Sequence, residues 1–149
     1  MTKNNQLALI VSYYLSRCDK EAYSRLGYLS FIQATKSIGR ILGVKPRTIQ
    51  NMRDEFDPYH DNRRVGWVRE LRGSRLKVLR AFQDTDDDTL FEIINEVLIN
   101  KEFEETEEYG DIKTLFEDKD EEAGRKKATR ASSFILTLLL HLSSLFTFT

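Results

Sequence analysis

Apolar side chains recur at helical spacing along most of the first hundred residues, and strict apolar–polar alternation is weak. Leu7, Ile10, Val11, Tyr14 and Leu15 share one face of a helix over residues 5–17, the three-and-four spacing of an amphipathic helix. Asp19 is placed to cap a short second helix running to Leu26, with Ala22 and Leu26 facing inward, and Gly27 interrupts the pattern. A third helix is predicted over Ser30–Leu42, with Phe31, Ala34, Ile38, Ile41 and Leu42 on its apolar side. Gly43-Val44-Lys45 is a tight turn. Pro46 suits the first turn of the next helix, where its missing donor would be unpaired anyway. That helix runs to about Phe56, and Asp57-Pro58 stops it.

Residues 57–73 lack a regular pattern and mix aromatics with arginines. Ser74 is a plausible cap for a helix carrying Leu76, Leu79, Ala81 and Phe82. Asp84–Asp88 is an acidic break whose charges favour the start of another helix. The buried side of that helix is Leu90, Ile93, Ile94, Val97 and Leu98. The reading is an all-α fold in three stretches: a helical domain over 1–100, an acidic charged segment over 101–130 (residues 101–122 forming a loose helix pair or partly disordered), and an apolar tail over 131–149.

The segment Thr35–Asp54 resembles the twenty-residue helix-turn-helix pattern, which needs two helices to cross closely around a short turn. Gly39 stands where a small residue lets the second helix approach, and Gly43 where the turn wants positive φ. Ile38, Leu42, Val44, Ile49 and Met52 take the buried positions. The resemblance implies binding of double-stranded DNA, with the second helix in the major groove. Lys45, Arg47, Gln50 and Asn51 are then the candidates for base contact, Arg47 to guanine and Gln50 or Asn51 to adenine. Thr48 would touch a phosphate or a thymine methyl. Arg53 would clamp the backbone, and Lys36 and Arg40 would reach phosphates from the preceding helix. Asp54 and Glu55 should point away from DNA or pair with an arginine. Such proteins often dimerise, and the apolar tail is a candidate surface for a homodimer.

Charge supports this picture. The formal net charge of −1 conceals a polarity: residues 1–80 hold 16 Lys+Arg against 7 Asp+Glu, and residues 81–149 hold 7 against 17. A nucleic acid would prefer the first half. Arg63 and Arg64 belong to a second basic run that continues through Arg80, with Tyr59, His60 and Trp67 interspersed. That run suits a minor-groove arm, although Trp67 reads better as a loop anchor on the core. Glu102, Glu104, Glu105, Glu107, Glu108 and Asp111 support a different reading, in which a non-catalytic acidic surface binds a protein partner or imitates DNA. The acidic block could also inhibit the basic half.

Met52–Pro58 after Gly-Val-Lys-Pro, followed by a Gly-Trp loop, is similar to modules that accompany restriction endonucleases and other defence nucleases. That similarity covers roughly residues 10–100 and implies a recognition or accessory role, with catalysis elsewhere.

Little points to an enzyme. His60 and His141 are the only histidines, and neither sits in a catalytic spacing. Asp57, His60 and Asp61 read as turn chemistry rather than a metal site. There is no phosphate-binding glycine loop, so no catalysis, cofactor or metal is expected. Cys18 is the only cysteine, which excludes an internal disulfide and suits a reducing compartment. Leu7–Tyr14 is read as core rather than a secretory signal, and the expected location is cytoplasmic or nucleoid-associated. The 19-residue tail is near the minimum for a bilayer span, but seven of its residues are Ser or Thr. A buried or oligomer-forming helix is preferred to membrane association.

Overall fold

A computed structural model describes residues 1–66, 70–71, 73–100 and 102–117. The described residues form six α-helices and no strand. Trp67, Arg69, Arg72 and the apolar tail lie outside them.

Helix α1 (Lys3–Arg25) is capped by Thr2, whose side chain accepts from the Asn5 N–H. Every residue from Leu7 to Ser16 is buried, so this stretch is enclosed on all sides rather than along one stripe. It packs against α2 (Phe31–Leu42), α3 (Pro46–Phe56), α4 (Ser74–Phe82) and α5 (Asp87–Ile99). The predicted break at Asp19 is a kink inside α1, with φ 51° and ψ −124°. The Asp19 carboxylate pairs with Arg64.

Helix α2 opens with a reciprocal cap. Ser30 accepts from the Gln33 N–H at 3.1 Å, and Gln33 accepts from the Leu29 N–H at 2.6 Å. It ends at Gly43, whose φ of 69° is left-handed, a conformation that costs a residue with a Cβ about 1–2 kcal/mol. Pro46 is the first residue of α3, as its ring favours. A short 3₁₀ turn, Asp57–Tyr59, follows α3 directly.

Ser74 is not the cap of α4. It is the first helical residue, and Gly73 with φ 54° takes the cap position without a side-chain bond. Asp86 caps α5 by accepting from the Thr89 N–H at 2.8 Å and hydroxyl at 2.9 Å. Leu90, Ile93, Ile94 and Val97 are buried on α5, and Leu98 is partly so.

Beyond residue 100 the described chain forms a 3₁₀ turn, Phe103–Glu105, and one helix, α6 (Glu107–Glu117). These two elements lie in the stretch 101–122 expected as a loose helix pair or as partly disordered, of which Lys101 and residues 118–122 are outside the described residues. Phe103 and Ile112 belong to the same buried cluster as α1–α5, past the boundary placed at residue 100 from the sequence. Among the described residues no helix is long and apolar enough to cross a membrane.

Candidate nucleic-acid interface

The α2–α3 corner is built around two glycines. A Cβ on Gly39 would lie 2.6 Å from the Val44 carbonyl oxygen, closer than such atoms approach, so only glycine lets the turn fold back onto α2. Gly43 then reverses the chain. Ile38, Leu42, Ile49 and Met52 are buried beneath the corner, and Val44 is half-buried against the core. Ser12 of α1 donates to the Ala8 carbonyl at 2.7 Å and the Ile49 carbonyl at 3.3 Å, stitching α1 to α3.

The outer side of this corner is polar and cationic. Lys36, Arg40, Lys45 and Arg47 are exposed and form no ion pair with a described residue. Arg47, Gln50 and Asn51 lie at helical spacing on α3, with Thr48 beside them; Thr48, Gln50 and Asn51 are half-exposed. The first turn of α3 holds no acidic side chain, and no side chain caps it. Pro46 carries no N–H, and those of Thr48 and Ile49 donate to the Lys45 carbonyl, so the start of the helix offers an anion chiefly its positive pole. Arg63 is exposed in the following loop, with φ 64°.

Other arginines of the basic half are engaged inside the fold. Arg53, expected to clamp a DNA backbone, instead lies over Phe31 with its guanidinium carbon 3.7 Å from the ring centre. It pairs with Asp54 at 3.1 Å and its side chain is only 11% exposed. Glu55 is buried and meets Arg75 at 3.2 Å. Both acidic residues of α3 thus pair with arginines. Arg17 donates to the Phe82 carbonyl at 2.9 Å and to that of Thr85, and pairs with Asp87 at 3.0 Å.

Arg64, also expected at DNA, is a structural residue. Its Nε and Nη2 donate to the two oxygens of Asp57, each at 2.9 Å, and its Nη1 pairs with Asp19. Asp57 also accepts from Ser16 at 2.8 Å and from Asn62 at 2.9 Å. Burial pushes the Asp57 pKa up, but the bonds from Arg64 and Ser16 and the charges of Arg64 and Arg53 outweigh it, leaving the carboxyl below its ordinary range. Sequence reasoning missed this cluster. Its one local signal was the four-residue spacing of Arg53 and Asp57, whose charges lie 4.0 Å apart.

Ser16, His60 and Asp57 are the residue types of an acyl-transfer triad, but their order is different. Ser16 Oγ stands between His60 Nδ1 and Asp57 Oδ1, 2.8 Å from each, whereas a relay needs histidine between serine and carboxylate. With Ser16 donating to Asp57, His60 Nδ1 carries a proton and donates to Ser16. Burial, then the charge of Arg17, holds His60 down to about 4. Burial and the neighbouring Asp87 push the Cys18 thiol up to about 12, far from the range of a nucleophilic cysteine.

On the acidic side, Glu102, Glu104, Glu105 and Glu107 are exposed, Glu108 is buried, and Lys3 pairs with Glu104 at 2.6 Å. Burial, then the charges of Glu108 and Glu107, raises the pKa of Asp111.

Comparison with protein-family models, with curated proteins and with solved structures returns no match for this chain.

Proposed function

We propose that this protein binds double-stranded DNA through α2 and α3 acting as a helix-turn-helix unit, as a regulator or as the recognition or accessory part of a nuclease system. One observation carries the reading. The exposed cations Lys36, Arg40, Lys45 and Arg47, unpaired with any described residue, gather on the two helices and their turn, while Arg17, Arg53, Arg64 and Arg75 are held in internal pairs. Glycine packing at the corner and the buried set beneath it are what such a unit needs.

In this reading Lys36, Arg40 and Arg63 hold phosphates and set the register of α3, and Lys45 lies at a base edge beside Arg47. Arg47 reads guanine, Gln50 and Asn51 read adenine, and Thr48 meets a phosphate or a thymine methyl. Three phosphate contacts correspond to a salt slope of about −2.7, or roughly a 40-fold loss of affinity between 50 and 200 mM salt. Fluorescence anisotropy with a random-sequence duplex at several salt concentrations tests this. The expected result is binding that weakens along that slope, and absence of binding at low salt overturns it.

A second reading rests on the acidic surface. The exposed Glu102, Glu104, Glu105 and Glu107 form a negative strip suited to a basic protein partner or to imitation of a phosphate backbone. If a partner binds there, replacing these four with glutamine abolishes its binding and leaves α2–α3 intact.

A further inference from the structure

The α2–α3 corner stands beside an acidic turn. The Asn4 side chain lies 3.2 Å from where a Cβ on Gly43 would stand, so the turn between the helices sits against the N-terminal end of α1. The 3₁₀ turn Phe103–Glu105 is fixed at that same end, because Phe103 is buried in the core and Lys3 pairs with Glu104 at 2.6 Å. Asn4 and Glu104 line one small cleft with Ile41 and Leu42, the last two residues of α2. Glu102 and Glu105, on either side of Glu104, are exposed and pair with no described residue. Residues 101–108 hold five glutamates and one lysine, so the turn keeps a negative charge although Lys3 answers one of them.

A second acidic group stands far from the corner. Glu21 lines a pocket with Asp86, Asp87 and Asp88, and Asp84 is exposed just before them. Glu21 is 17 residues along α1 from Asn4, about 25 Å at the helical rise. That is more than two Debye lengths at about 0.1 M salt. Arg63 is also remote from the acidic turn, since its neighbour Asn62 donates to the Ser16 carbonyl at 3.1 Å, 12 residues along α1 from Asn4. Lys36 lies about 9 Å back along α2 from Leu42.

Given the DNA reading, on which this rests, we infer that the acidic turn Glu102–Glu105 is a repulsive guard on the α2–α3 corner. It weakens the hold on phosphates and turns the DNA backbone away from the α1 end, towards Lys36 and Arg63. The guard acts by charge alone and covers none of the exposed cations. Unit charges about 10 Å apart repel by less than the thermal energy in water. Glu102 and Glu105 facing several phosphates therefore lower affinity by about threefold to tenfold at low salt. Salt screens this repulsion, which distinguishes it from a steric block.

Anisotropy titration of a random-sequence duplex with the full chain, at about 50 and about 200 mM salt, tests the guard. Glu102→Gln/Glu105→Gln, isosteric at two exposed sites, should bind about threefold to tenfold more tightly at the lower salt, with a gap that narrows at the higher. Glu21→Gln/Asp84→Asn removes the same charge at the remote end and should keep wild-type affinity. Equal tightening by both pairs overturns the guard, because net charge then suffices. A gap indifferent to salt overturns it as well, and so does unchanged or weaker binding by Glu102→Gln/Glu105→Gln, with the DNA reading left standing. Absence of binding by all three proteins at low salt overturns the DNA reading and the guard together.

Discussion

Arg64 meets Asp57 through two parallel bonds of 2.9 Å, Nε to Oδ2 and Nη2 to Oδ1, and the carboxylate is shielded completely from solvent. This pair fixes the loop after α3 to the body of the domain, and through Asp19 it also holds the kink of α1. Removing one member of a buried pair is costly because the other remains unneutralised. Ser16 and Asn62 still donate to Asp57, so Arg64→Ala should cost about 2–3 kcal/mol, read as a lower urea midpoint. An unchanged midpoint would show that the pair does not stabilise the fold.

Acid should weaken the same cluster. His60 titrates near 4 in the folded protein because of burial and Arg17, against about 6.5 in an unfolded chain. The unfolded state therefore binds more protons between these values, and stability is full above pH 6.5 and falls as the pH drops towards 4. The ring is not wholly enclosed, so the contribution is about 1–2 kcal/mol after screening. Asp57, held below its ordinary value, adds a further loss as the pH falls through its folded value. Urea midpoints across pH 4–8 should slope for the wild type and flatten between 6.5 and 4.5 for His60→Gln.

At Gly39 two effects oppose each other. Alanine is the better helix former by about 1 kcal/mol, but its Cβ would sit 2.6 Å from a backbone oxygen of the turn. Overpacking against backbone costs about 1–3 kcal/mol, so Gly39→Ala should be net destabilising by about 1 kcal/mol and should open the α2–α3 corner. The check is a lower melting temperature together with altered exchange at Val44 and Ile49.

Tyr14 offers the opposite outcome. Its ring is fully buried, and its hydroxyl meets no partner among the described residues. A buried hydroxyl without a hydrogen bond costs about 1–3 kcal/mol, so Tyr14→Phe should stabilise the protein by about 1 kcal/mol. A lower urea midpoint would mean that the hydroxyl is satisfied.

Arg47 and Arg53 separate binding from stability. Arg47→Ala should weaken DNA binding by about 1–3 kcal/mol and leave stability within about 0.5 kcal/mol. Arg53→Ala removes the stacking on Phe31 and should cost about 1–2 kcal/mol of stability, with the salt slope of DNA binding unchanged. Anisotropy and urea titration on both variants check this, and the reverse pattern would exchange their roles.

The helices were legible where local spacing decides them. The inward faces of α3 and α5 follow from apolar periodicity, and so does that of α2 except at Ile41, expected on the apolar side but 51% exposed; Gly39, Gly43 and Pro46 mark the corner between α2 and α3. Interpretation failed where a side chain serves a distant partner. Asp19 has the composition of a cap, yet it pairs with Arg64, 45 positions away. Ser74 also resembles a cap, but Gly73 can adopt the positive φ that starts α4 there. Arg53 and Arg64 look like surface cations because nothing nearby in sequence places Phe31 beneath one or Asp19 and Ser16 around the other and the carboxylate it binds. Of the ten residues expected at DNA, Lys36, Arg40, Lys45, Arg47 and Arg63 are exposed, Thr48, Gln50 and Asn51 are half-exposed, and Arg53 and Arg64 are engaged internally.

The enclosed middle of α1 also has a consequence during synthesis. Leu7–Ser16 is translated before every helix that covers it, and α5 is complete only at Ile99. At about 5–20 residues per second, that interval lasts roughly 5–20 s. Throughout it, a segment destined to be dry on every side stands in water or in the grip of whatever shelters nascent chains. The yield of folded protein should therefore depend on the speed of elongation and on chaperone supply more than the stability of the finished domain would suggest.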